Sequence, residues 1–123
     1  MAFIADRVLD NGLSALSAEA TRLDICSSEP TSYTEATSTV TLGNKTGVSV
    51  GTPAARSPDG RKVTVASISD GSVSGTGTAS HWALTDPGNS RLLATGSLSA
   101  SQAVTSGNTF TLAAFDIGIP GAV

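Results

Sequence analysis

Few side chains in this sequence could do chemistry. His81 is the only histidine, Trp82 beside it the only tryptophan, and Cys26 the only cysteine. Successive residues of a strand point to opposite faces. TASHWALTD (78–86) therefore cannot present imidazole and indole as one site. Trp82 shares parity with Leu84, with Thr78 and Ser80 before it, and reads as a core anchor burying about 200 Å2. His81 lies with Ala79 and Ala83 on the other face, near the surface or a subunit contact. A lone histidine builds no metal cage with ordinary ligand spacing, and a catalytic role needs a Ser or Asp supplied by another strand. Cys26, in TRLDICSS, has no intrachain disulfide partner and reads as a buried, inert thiol, which fits synthesis in a reducing cytosol.

The remaining motifs dissolve on inspection. GTGTAS (75–80) has Ser80 where a dinucleotide loop needs its third glycine, and it lies inside a strand. GNKTG (43–47) lacks the ending of a phosphate loop. Asn44-Lys45-Thr46 matches a glycosylation acceptor by chance. Asp59, Asp70 and Asp86 sit beside Gly or Pro, where turn chemistry explains them, and no calcium loop spacing is present. Asp24, Glu29 and Glu35 are spread over a strand and a loop, unlike a glycosidase pair. No catalytic, cofactor-binding or metal residue is assigned, and an enzyme is not expected.

Composition narrows the partners. The 123 residues are 14% charged and 4% aromatic, with a net charge of −3. The charge is low for a soluble domain, and Ser and Thr together exceed a quarter of the chain. Seven scattered Lys and Arg make no stripe for phosphates, so nucleic acid is not an expected partner. The Arg61-Lys62 pair reads as a solvated strand start. No basic apolar leader opens the chain, and there is no run of 18 apolar residues, so neither a membrane partner nor standard export is expected.

The elements that must position these residues follow from periodicity. Residues 4–20 predict one helix through Gly12, with Val8, Leu9, Leu13, Leu16, Ala5 and Ala20 as its apolar stripe and a role as core lid. From Thr21 the period becomes two. RLDICSS predicts a strand, 31–39 a polar loop around Tyr33, and Val40, Leu42, Val48 and Val50 two strands about a GNKTG turn. GTPAARSPDGRK predicts an exposed loop. KVTVASI predicts a strand turning at Asp70-Gly71; a long strand then runs to Asp86-Pro87-Gly88. RLLATGSLS follows, and TFTLAAFDIGIP closes the chain. In that last segment Phe110 and Leu112 share one parity and Phe115, Ile117 and Ile119 the other, which predicts a bulge near Ala113-Ala114 or a strand buried on both faces. The expectation is a mainly β single domain over 1–123. Residues 1–20 form an N-terminal amphipathic helix, and 21–123 an antiparallel sandwich or barrel of about seven short strands.

ADRVLDNGLSALSAEATRLDICSSEPTSYTEA, TLGNK, GTASHWALTDPGNSRLLATGSLS and SGNTFTLAAFDIGIP together resemble small tailed-phage virion structural proteins, most of all a capsid decoration (cement) protein. The resemblance implies a virion protein made in the bacterial cytoplasm and bound outside the head. Its partner would be the major capsid protein, and self-association, as a trimer, is expected. Two alternatives stay open: a tail or fibre component, and a host-surface carbohydrate module exposing Trp82 or Tyr33. A decoration protein does no chemistry; it adds interface across joints of the shell.

Overall fold

The computed structural model describes residues 5–57 and 59–120; Ile4, where the helix was expected to begin, and Pro58 lie outside them. The helix, α1 (Asp6–Glu19), runs unbroken through Gly12, where an added Cβ would meet only Ile119 Cδ1, at 3.7 Å. Asp6 stands in its first turn, favourably placed against the helix dipole. Leu9, Leu13 and Leu16 are buried and Ala20 follows at the C-cap, a 4-3-4 stripe. Val8 is a correction: rotated off that stripe, it is 62% exposed.

Nine strands follow among the described residues, rather than about seven. They are β1 (Arg22–Cys26), β2 (Thr41–Thr46), β3 (Ala54–Ala55), β4 (Arg61–Val65), β5 (Ile68–Val73), β6 (Gly77–Asp86), β7 (Arg91–Val104), β8 (Thr109–Leu112) and β9 (Phe115–Ile119). Six form one curled antiparallel sheet in the order β7-β6-β1-β2-β5-β8, and three form a smaller sheet, β3-β4-β9. The class is mainly β with an N-terminal helix, sandwich- or barrel-like, as the periodicity predicts. α1 lies against β4 and is tied there by Arg61, whose guanidinium donates to Asp10 at 2.7 and 3.3 Å. Leu23, Ile25, Trp82 and Leu84 of the large sheet meet Val63 and Val65 of the small one in a single cluster, to which α1 adds Leu13 and Leu16.

Two corners build the sandwich. The chain leaves β4 in the small sheet and enters β5 in the large one through Ala66-Ser67 alone. It returns from β8 to β9 through Ala113-Ala114. Phe110 and Leu112 pack on the core from the large sheet and Phe115, Ile117 and Ile119 from the small one, so the parity flip after Leu112 falls where the chain changes sheet and not at a bulge within one strand. The turn expected at Asp70-Gly71 is also corrected: both residues lie inside β5, with Gly71 beneath the ring of Phe110, where a Cβ would overlap it.

Two further expectations are corrected. Gly43, Asn44 and Lys45 lie inside β2; Gly43 lets the β5 backbone at Ser72 and Val73 approach closely, and the chain turns later, at Gly47, with φ +69°. Val48 and Val50 form no strand: Val50 makes one bridge to Val65, and both pack on the core. Residues 31–39 are no open loop either. They wind into a helical turn ending as a π-helix at Glu35–Thr39 with Ala36 fully buried. The expected loop at 51–62 is mostly exposed but contains β3 and the start of β4.

Candidate interaction surface

β6 divides its two rare side chains as alternation requires. Trp82 faces the sandwich core, 8% exposed, its ring 4.6 Å from that of Phe115 on the opposite sheet and tilted 40° to it. Gly96, its neighbour on β7, leaves room for the indole edge: a Cβ there would sit 2.6 Å from Trp82 Cζ2. Neither the face against Phe115 nor the edge against Gly96 is open to a stacking sugar.

His81 points to the outer face, where the fold gathers partners that spacing did not pair. Its Nδ1 is 2.8 Å from Ser80 Oγ, and its Nε2 is 3.5 Å from Ser97 Oγ and 4.0 Å from Glu29 Oε2. A Ser–His–acid relay needs the acid on the ring nitrogen opposite the nucleophile. Here Glu29 and Ser97 share one nitrogen, and Ser80 occupies the other. The single hydrogen of Ser80 goes to the Ser27 carbonyl at 3.0 Å, so Ser80 accepts from Nδ1–H. Ser80 therefore anchors the chain after β1. It does not share the Trp82 face, and Ala79, expected beside His81, instead joins Trp82 in the core, because the β6–β7 register breaks between Ala79 and His81.

The outer face around β1 is sealed. Cys26, Ala83 and Ala36 form a second small apolar cluster beneath the π-helical turn. Burial, with a smaller contribution from the Asp24 charge, pushes the Cys26 thiol up to about 12. Asp24 is fully buried, yet it accepts twice from Arg22, at 2.7 and 3.0 Å, and once from Thr41 Oγ1, at 2.6 Å. The Arg22 guanidinium is held above its ordinary value by the hydrogen bond to Asp24 and by that carboxylate's charge, against the cost of partial burial. Glu35 accepts from the Thr31 backbone and hydroxyl, a local cap. Arg61 and Lys62 do open a strand, but half-buried and paired: Arg61 with Asp10, Lys62 with Asp116. Hydrogen bonds from Thr64 and Lys62 hold the Asp116 carboxyl below its usual range. Asp59 pairs with Arg56, Asp70 with Lys45, and Asp86 accepts from Asn89. Among the described residues no three His, Cys, Asp or Glu gather as for a metal, and no helix is long and apolar enough to cross a membrane.

The open part of the molecule lies elsewhere. β7 and β8 are the two edges of the large sheet, and its curl brings them together where Gln102 Nε2 donates to the Thr111 carbonyl at 3.0 Å. Beyond that bond the edges separate around a trough of about 600 Å3, with Trp82, Gly96 and Phe115 at its base. One wall is Leu98, Ser99, Ala100 and Gln102 of β7, the other residues 111–114. Sequence reasoning missed this surface, although a signal was present: from Leu92 through Phe115 there is no charged residue and no histidine. That run contains nearly all of both edge strands.

Comparison with protein-family models, curated proteins and solved structures returns no match for this chain.

Proposed function

We propose that this protein is a structural component of a tailed-phage particle, a decoration protein that binds the outside of the capsid shell and stabilises the head. The observation that carries the reading is the uncharged pair of edge strands. Natural sheet edges are usually guarded by charge, proline or a covering segment, and β7, from Leu92 to Val104, has neither charge nor proline. An edge rich in hydroxyls and small side chains docks without desolvating charges, which suits a protein that contributes interface area rather than chemistry. The resemblance of the N-terminal and β6–β7 segments to small phage structural proteins points the same way. So does the use of the one indole inside the sandwich, which leaves no aromatic platform for a glycan at Trp82. In this reading the His81 cluster is a strut without turnover. The partner is the major capsid protein, reached from the bacterial cytoplasm during assembly.

Copy counting on purified particles tests the proposal. A decoration protein is present in hundreds of copies spread over the head, as repeated symmetric sites demand. Tens of copies or fewer, confined to the tail, or none on the particle, overturn it. Reproducible ester or glycoside hydrolysis that disappears in His81→Ala would overturn it equally.

A further inference from the structure

The trough between the edges of the large sheet has the features of a strand acceptor. On β6–β7 the register runs from Ala79↔Gln102 directly to His81↔Ser97, so only Ser80 faces residues 98–101. That stretch of β7 has no register partner on β6, and the outer edge of β7 pairs with no other strand among the described residues. Across the gap β8 likewise pairs only with β5. Both walls thus offer extended main chain, at the point where the curled sheet stops short of closing. The base between them is aromatic and apolar, from Trp82 and Phe115. The rims are serine, glutamine and threonine, and Asp116 at one end is the only charged lining residue.

We infer that this seam receives an extended, uncharged segment of a partner polypeptide, which adds to the sheet edge at residues 98–102 and lays alternate small apolar side chains over Trp82 and Phe115. Strand addition draws its affinity from main-chain hydrogen bonds and its selectivity from pockets for every second side chain. The volume suits a segment of a few residues. Charge complementarity excludes a basic or acidic segment from the interior: a Lys or Glu there would lose its hydration, and the walls supply no opposite charge apart from the terminal Asp116. A glycan fits less well, because the indole face is already covered by Phe115. The inference rests on the seam alone and holds whether or not the partner belongs to a capsid.

The full-length chain is passed over an array of octapeptides. One set alternates Val or Ala with Thr or Ser; a second carries Lys or Glu at alternate positions; a third repeats the first with alternate amides N-methylated. The uncharged set is retained, the charged and N-methylated sets are not, and the best binders change Trp82 emission in solution. Ser99→Lys and Ala113→Lys, both at exposed positions on opposite walls, weaken retention at least about tenfold by placing an unpaired charge in the seam, whereas Ser14→Lys on α1 leaves it unchanged. Retention of no peptide, equal retention of the charged set, or indifference to N-methylation overturns the inference. So does a dimer of the free chain that Ser99→Lys disperses without any peptide being retained, which would give the seam to a second copy. Emission of Trp82 that responds to millimolar monosaccharide and to no peptide would give it to a glycan.

Discussion

The large sheet is finished in two different ways. Around β1 the outer face is closed: residues 27–40 fold back over it, Ala36 plugs Cys26 and Ala83, and the one fully buried carboxylate has three hydrogen bonds. At the seam between β7 and β8 the same sheet lies open and uncovered, with Asp116 at one end as its only charged lining residue. The difference teaches where the sequence invests its polar chemistry. Asp24, Arg22 and Thr41 complete the fold; the seam's hydroxyls leave their main chain available to another molecule.

The largest expected effect strikes the base of the seam and leaves the closed face without a direct loss. Trp82→Ala removes the core anchor beneath the seam and its contact with Phe115, and should cost about 3–5 kcal/mol. Thermal or denaturant unfolding checks it; normal yield with an unchanged melting temperature would show that the indole is not structural. Next, Asp24→Asn keeps the shape of the closed face but leaves Arg22 without its counter-charge. With Arg22 partly exposed, a loss of about 2–3 kcal/mol is expected, the worth of hydrogen bonds to a charged group. A loss under half a kcal/mol in urea melts would mean that the network adds nothing to stability.

Gly96→Ala sharpens the comparison from the seam side. The new methyl would press on the indole, and overpacking of this kind costs about 1–3 kcal/mol. A crystal structure or tryptophan emission would show whether Trp82 moves outward, and an unchanged protein would show slack at the base of the trough. The smallest effect belongs to Cys26. Its folded value of about 12 lies above the ordinary 9.0, so the fold favours the protonated thiol. That contribution is complete below about pH 9 and fades as pH rises toward 12. The native chain should resist thiol reagents at pH 8 and react only when denatured; rapid native labelling would mean that the cover over β1 opens readily.

The elements were legible where one physical rule acted alone. The α1 stripe follows from helical period, and the opposite facing of His81 and Trp82 from strand alternation. The mainly β class follows from the change of period at Thr21. Legibility failed where two rules produce the same letters. Asp70-Gly71 has the letters of a turn, yet the glycine accommodates the Phe110 ring; the GNK of GNKTG reads as a turn, yet Gly43 allows β2 and β5 to approach. Residues 31–39 look like a polar loop because a one-sided cover over a sheet needs only one buried residue, Ala36. The seam was hidden for another reason: it depends on which strands end as edges, and strand order is not written in periodicity. Even so, the absence of charge from 92 to 115 was visible without coordinates.

The position of β1 has a temporal consequence. It lies between β2, its near neighbour in sequence, and β6, whose pairing residues begin at His81. On the ribosome β1 therefore emerges long before its second partner, and the small sheet waits longer still, since β4 pairs with β9. Contacts so distant along the chain slow folding into the range of about milliseconds to seconds. During that interval the apolar faces of β1 and β4 stand without the strands that later pair with them.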